Sequence, residues 1–259
     1  MAKSSRGGQR AGGALSGTGN VQPTQQTPQQ TQQVQVDDTQ TASDFSTDYT
    51  SFMAMSDDDK ADVISKAVSQ GVPDHLSQSD FQKFIYNSGL NDKPDVVDDA
   101  TLDSMGGTEL FRTVNSVYDS DNDISYTADQ IAKQIMAGRV TRTSDNGGSV
   151  YGRGIYFANS KSDSSCYGNV RNNVKKTAQV RAKLNNNAKA INYYTALQGM
   201  GAEMKSGSKL GKALSKCDRD SAISIYAMAK GYNVITSGNG YFSVLNRNAI
   251  TMSKTISTI

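Results

Sequence analysis

Tryptophan is absent from this 259-residue chain, histidine occurs once, cysteine twice, proline four times, and glutamate only at Glu109 and Glu203. Each scarcity excludes a chemistry. A single histidine, His75 in VPDHLSQ, reads as a solvated or capping residue near a turn, which argues against a Ser–His–Asp type of centre. Cys166 and Cys217 stand far apart, without a CxxC spacing or histidine partners, so neither a zinc site nor a disulfide framework is expected. Two reduced thiols in a cytosol-like compartment fit better. No apolar run is long enough to span a bilayer, and no apolar segment follows Lys3 and Arg6 as in a secretory signal. The chain is therefore expected to be soluble, with no membrane partner.

Charge is present, but unevenly. Residues 1–130 hold 8 Lys and Arg against 20 Asp and Glu, and residues 131–259 hold 19 against 5, so a net −12 front faces a net +14 back. A basic half suits a polyanion, either nucleic acid or the phosphates of a dinucleotide. Attraction between the two halves is the plainer use of the same charges.

Three regions follow from the composition. Residues 1–52 are Gly/Ser-rich and then Gln/Thr-rich (QPTQQTPQQTQQ), with too little apolar area to offset the entropy of ordering, and read as a disordered arm. Residues 53–106 read as a helical subdomain. Ser56 before Asp57, Asp58 and Asp59 is a helix start with acids at the positive end of the dipole, and Ala61, Ile64, Ala67 and Val68 keep helical spacing. SQSDFQKFIYNSGL repeats that grammar up to Gly89, and DKPDVVDDATLDSM suggests a third, poorer helix.

Residues 107–259 change pattern. ELFRTV, RGIYFA, AQVRAKL, KAINYY, NVIT and YFSVLNRNAITM read as strands. SYTADQIAKQIMAG, SKSDSSCYG and DRDSAISIYAMAKGYN read as helices. Short strands with a few interspersed helices predict an α+β domain instead of a doubly wound parallel sheet.

Several motifs carry little. Asp119, Asp121 and Asp123 imitate a calcium loop, but Ile124 stands where glycine is needed and Gln130 where a bidentate glutamate belongs. No phosphate loop of the GxxxxGK[ST] kind occurs, and the Gly152–Gly154 pair precedes a strand, which disfavours a Rossmann site. RNNVKKTAQVRAKL lacks interleaved aromatics and resembles a charged strand edge more than a nucleic-acid platform. No metal is expected.

GRGIYFANSKSDSSCYG, residues 152–168, is the informative stretch. It closely resembles the second signature of ADP-ribosyltransferases, especially the poly(ADP-ribose) polymerase branch, in which a G-x-GIYFA strand leads to S-x-x-Y. Gly152, Gly154, Ile155, Tyr156, Phe157 and Ala158 match in order, and Ser164 and Tyr167 keep the S-x-x-Y spacing. ELFRTV resembles the first strand of the arginine-specific and phage-encoded branch, with Arg112 at its arginine. VRAKLNNNAKAI and AKGYNVITSGNGYFSVLNRNAI resemble later strands of phage and bacterial members. The resemblance covers about residues 107–253.

The resemblance implies a split β-sandwich that binds NAD in a cleft between two small sheets and breaks the nicotinamide–ribose bond through an oxocarbenium-like transition state, as in glycoside hydrolysis. It implies that Tyr156 and Tyr167 wall the nicotinamide and that Arg112 and Thr113 fix the dinucleotide. Gly154 would shape the cleft, and Ser164 would meet the nicotinamide amide. The family also places a glutamate just before an aromatic late strand such as YFSVL. Here Gly240 takes that position and Asn239 stands beside it, so Asn239 is the candidate to hydrogen-bond the reacting ribose. Glu203, in GMGAEMKSGS, is read as lying in a glycine-rich loop, from which it could swing in.

Two readings stay open. One is an NAD-dependent mono-ADP-ribosyltransferase, phage-encoded by resemblance, which modifies a host protein or nucleic acid in the host cytoplasm. The other is a catalytically degenerate NAD- or nucleotide-binding module, or a virion-associated structural protein with virion proteins as partners.

Overall fold

Helix capping and strand alternation account for most of the elements. The computed structural model describes residues 48–74, 76–90, 92–119, 124–138, 151–168 and 177–258. Residues 1–47 of the arm read over 1–52, His75, most of the DSDND loop and the lysine-rich 171–176 lie outside the described residues. The described residues fall within one compact unit that begins at Thr41.

The first helices follow the sequence signals closely. Helix α1 (Tyr49–Ala54) is capped by Asp48 and brings Phe52 into full burial against Phe84, with ring centroids 5.8 Å apart. Helix therefore occupies Tyr49–Ala54, which overlaps the end of the stretch read as an arm, because one aromatic finds a core. Helix α2 (Asp57–Ser69) starts at the Ser56 cap, and α3 (Asp80–Ser88) ends at Gly89, whose φ of 73° suits a residue without a Cβ. The stretch read as a third helix divides instead into β1 (Asp95–Val97) and α4 (Asp99–Ser104), since β1 finds a parallel partner in the last strand.

Next come β2 (Glu109–Val114), the hairpin β3 (Val117–Asp119) and β4 (Ile124–Tyr126), and α5 (Ala128–Met136), which opens on a Thr127–Gln130 capping box. Then follow β5 (Ile155–Ala158), α6 (Lys161–Gly168), β6 (Ala178–Leu184) and β7 (Ala190–Asn192). The chain closes with helices α7 (Tyr193–Lys205), α8 (Lys209–Leu214) and α9 (Arg219–Ala229), and strands β8 (Val234–Thr236), β9 (Tyr241–Val244) and β10 (Ile250–Thr258). KAINYY is thus strand only to Asn192, whose side chain accepts from the Tyr194 N–H and starts α7. The glycine-rich GMGAEMKSGS is largely helix, not loop.

Eight strands form one mixed sheet in the order β1-β10-β6-β2-β5-β9-β8-β7, while β3 and β4 pair separately. Parallel pairing occurs at its two edges, β1/β10 and β7/β8, and the remaining pairs are antiparallel. Helices interspersed with the short strands of a mixed sheet agree with the expected class at this coarse level. The sheet narrows in its middle. β2 pairs with β6 at six positions but meets β5 at a single bridge, Phe111 with Ala158.

The two faces bury different cores. One packs Leu110, Val114, Val180 and Ile250 under α5 through Ile131 and Ile135. The other receives α2, α3 and the α7–α9 layer, where Ile64, Phe84, Ile223 and Met228 pack against Ile191 and Ile235 of the sheet. The early helices and the late ones therefore share one core.

Candidate functional site

Strand alternation decides which side chains meet at the narrow place. Phe111 and Thr113 of β2 share a face, opposite to Leu110, Arg112 and Val114. The Phe111–Ala158 bridge puts Tyr156 on the face of Thr113. Register then adds Gln179 of β6, opposite Thr113, and Ser243 of β9, opposite Tyr156. A polar row, Gln179–Thr113–Tyr156–Ser243, crosses the sheet where its two halves join.

Arg112 is only 8% exposed, and its Nη1 donates to the carbonyl oxygen of Tyr156 at 2.9 Å. A guanidinium buried this far needs acceptors, and one of them here is the main-chain carbonyl of the neighbouring signature strand. Thr113 Oγ1 lies 2.9 Å from Ser164 Oγ of α6, and the Gln179 Nε2 donates to Thr113 Oγ1 at 3.2 Å. Helix α6 is set over β2, where the Lys161 ammonium stands 5.6 Å from the centre of the Phe111 ring.

The Tyr156 hydroxyl is engaged. It donates to the Gly152 carbonyl at 2.8 Å and accepts from the Tyr151 N–H at 2.7 Å, which ties the turn before β5 to the strand itself. Gly152 makes that turn with a φ of 96°, and a Cβ there would meet Ser224 Oγ at 2.6 Å. The Gly154 N–H donates to Ser243 Oγ at 3.0 Å, and a Cβ on Gly154 would lie 2.5 Å from that oxygen. Both glycines of the G-x-G motif are therefore required by close backbone approach. Arg153 between them pairs with Asp218 at 3.6 Å and donates its N–H to Ser224 Oγ at 2.7 Å.

A run of aromatic rings leads away from Tyr156. Tyr151 lies 6.5 Å from it and 5.5 Å from Tyr193, which in turn is 5.4 Å from Tyr194, a residue 65% exposed. The ring of Tyr167 lies outside the described atoms, and its backbone occupies the last turn of α6.

Neither glutamate lies free beside the row. Glu109 accepts from the Arg181 guanidinium, which also reaches Asp103. Glu203 is on α7, where it accepts from Ser208 Oγ at 2.6 Å and pairs with Lys230 at 3.1 Å. Because the segment is helix, no loop carries this carboxylate toward β5. Asn239 is exposed in the β8–β9 turn, with its N–H donating to Ser237 Oγ at 3.0 Å. Gly240 beside it has a φ of 85°, and a Cβ there would meet Asn159 Oδ1 at 2.6 Å.

Of the residues singled out in the sequence, Thr113, Tyr156 and Ser164 share the α6 face at the join of β2 and β5, with Gly154 just before β5. The Arg112 side chain leaves β2 on the other face and meets the Tyr156 carbonyl. Gln179 and Ser243 were not foreseen. Their only sequence signal is a polar residue within a strand, Gln179 in line with Arg181 and Lys183 and Ser243 among apolar neighbours, which alternation alone reads as solvent-facing. Among the described residues no three His, Cys, Asp or Glu side chains cluster as a metal site, and no helix is long and apolar enough to cross a membrane. A cavity of about 300 Å³ lined by Asp95, Met105, Asn186 and Thr251 lies at the far end of β6 from Gln179. No protein-family model, no curated protein and no solved structure matches the chain.

Proposed function

We propose that this chain is an ADP-ribosyltransferase-like domain that binds NAD at the join of β2, β5 and α6, cleaves the nicotinamide–ribose bond and transfers ADP-ribose to a host macromolecule. The observation that carries the reading is convergence. The two stretches that resemble the family's first and second signatures, ELFRTV and GRGIYFANSKSDSSCYG, become adjacent strands and a helix, with Thr113 and Ser164 2.9 Å apart. Nothing in their separation along the chain requires this. The narrowing of the sheet to one bridge supports a cleft between two half-sheets, as the resemblance implies.

In the reaction the bond between the ribose C1′ and the nicotinamide nitrogen breaks, its electron pair leaves with nicotinamide, and an acceptor nucleophile bonds to C1′. Arg112 and the basic back half suit the pyrophosphate, Ser164 the carboxamide, and Tyr156 and Tyr167 the ring. Asn239 is the side chain that would hydrogen-bond the ribose. The phage-encoded origin, host cytoplasm or virion location and host acceptor rest on the family resemblance.

A second reading is favoured by one observation. Glu109 and Glu203 are both committed to cations elsewhere, and Gly240 takes the place of the family's carboxylate with a backbone that resists any side chain. The same site would then hold NAD without cleaving it, as a binding module or virion component. Incubating the full chain with NAD labelled on its adenylate, together with bacterial lysate, separates the two. Nicotinamide release and label on a macromolecule support the transferase. Thermal protection by NAD without release supports the binding module, and neither effect rejects both.

A further inference from the structure

Three buried polar side chains from three elements form one hydrogen-bonded line, from Gln179 Nε2 to Thr113 Oγ1 to Ser164 Oγ. Their residues are 8%, 7% and 2% exposed. Burying three such groups between a sheet and a helix is costly compared with apolar packing, so the line calls for a use beyond cohesion.

Its polarity follows from counting protons. A hydroxyl has one proton to donate and two lone pairs to accept with. Gln179 spends an amide proton on Thr113, so Thr113 can pass its own proton to Ser164, and the spare donor emerges at the Ser164 end. Donors that all run one way reinforce one another. Either order leaves one hydroxyl proton over, but the reverse order leaves it on Thr113, in the middle of the line, whereas this order leaves it on Ser164, where a ligand acceptor can take it.

We propose that Gln179 is a positioning residue that fixes Ser164 as a hydrogen-bond donor toward the bound ligand, so that the ligand group held there is an acceptor such as a carboxamide carbonyl oxygen. The proposal rests on the NAD reading and adds to it the residue, Gln179, that sets the direction of the Ser164 hydroxyl.

The test uses the full chain, with nicotinamide and 3-methylpyridine as probes. Affinities are measured from mildly acid to mildly alkaline pH for the wild type, Gln179→Glu and Gln179→Leu. A protonated carboxyl at position 179 still donates to Thr113, whereas an ionised one accepts and turns the whole line around. The charged groups that could tune that carboxyl are Glu109 and Arg112 on β2, Arg181 and Lys183 on its own strand, and Lys161 and Asp163 on α6. The β10 segment paired with it, Ile256–Thr258, carries none, and Asp129 and Lys133 of α5 lie across the sheet.

Gln179→Glu is expected to bind nicotinamide like the wild type at acid pH and about tenfold more weakly once ionised, the size of one lost hydrogen bond. The wild type is expected to show no such pH dependence. For NAD the KM should rise with kcat unchanged, because the contact is made in ground and transition states alike. Gln179→Leu should lose the preference for nicotinamide over 3-methylpyridine without gaining a pH dependence, which keeps the test available if the acidic variant folds poorly. Wild-type binding with a pH-flat Gln179→Glu, or with tighter binding as pH rises, overturns the proposal alone. A wild type that binds neither nicotinamide nor NAD overturns it together with the NAD reading.

Discussion

The guanidinium of Arg112 on β2 donates to the main-chain carbonyl of Tyr156 on β5 at 2.9 Å, across the one place where the eight-stranded sheet is held by a single bridge. The bond joins two half-sheets that the ladder itself scarcely connects. It also ties the arginine of one signature stretch to the backbone of the other, while the Arg112 and Tyr156 side chains leave opposite faces of the sheet.

Replacing Arg112 should therefore loosen the join as well as the site. Arg112→Met removes a charge-assisted hydrogen bond from a buried position and is expected to cost about 2–3 kcal/mol. Arg112→Lys should recover less than half, since a lysine cannot reproduce the planar fork. Urea unfolding measures both, with the midpoint lowered and the slope unchanged; a loss under about 0.5 kcal/mol would show that the tie carries little.

Tyr156→Phe and Tyr156→Ala separate two roles of one side chain. The phenylalanine keeps the ring face but leaves the Gly152 carbonyl and the Tyr151 N–H without their shared partner. It should cost about 1–3 kcal/mol of stability while preserving NAD affinity within a few fold. The alanine should lose the affinity as well. Equal NAD affinity in all three proteins would remove Tyr156 from the site.

Placing a glutamate at Gly240, where the resemblance implies one, should fail. A φ of 85° and Asn159 Oδ1 at 2.6 Å from the would-be Cβ make Gly240→Glu a strained substitution, expected to cost about 1–3 kcal/mol without raising nicotinamide release. A gain in release at unchanged stability would show that the β8–β9 turn tolerates the side chain.

How much of this was legible in the sequence depended on how local the cause was. β2 and β6 were read to the residue, because apolar alternation and flanking polar residues mark their ends. The helix at Ser56 was read from its cap, the next from the same grammar up to Gly89, and α5 from its amphipathic stretch. Helices α7 and α8 were missed. Gly199 and Gly211 look like loop residues, yet a Cβ on Gly199 would collide with the Tyr226 hydroxyl and one on Gly211 with the Glu203 carbonyl. These glycines allow close packing between helices, a tertiary cause that local propensity does not register. At the site, Arg112, Tyr156 and Ser164 were legible through an ordered motif, whereas Gln179 and Ser243 become visible only once the strand register is known.

Asp218 gives the fold an acid-sensitive link between α3 and α9. Its carboxylate caps α9 through the Ser221 N–H at 3.0 Å, and its own N–H donates to Asp80 at 2.8 Å. Burial works to raise its pKa, but the Ser221 hydroxyl and N–H, Arg153 and the Asp80 N–H together hold it below the ordinary carboxylate value. A depressed folded pKa contributes stability above the unfolded value of about 3.9, and that stability is lost as pH falls through the folded pKa. Asp218→Asn keeps the cap but not the charge, so its stability should fall less steeply than the wild type's below about pH 4. Parallel acid limbs in urea titrations at several pH values would count against the link.

Hydrogen exchange with and without NAD tests the central claim most directly, because it reports where the dinucleotide sits independently of turnover. The account predicts slowed exchange in β2 (Glu109–Val114), β5 (Ile155–Ala158) and α6 (Lys161–Gly168), with α4 and β1 at the far edge unchanged. Protection confined to other elements, or none at saturating NAD, would contradict the assignment of the site.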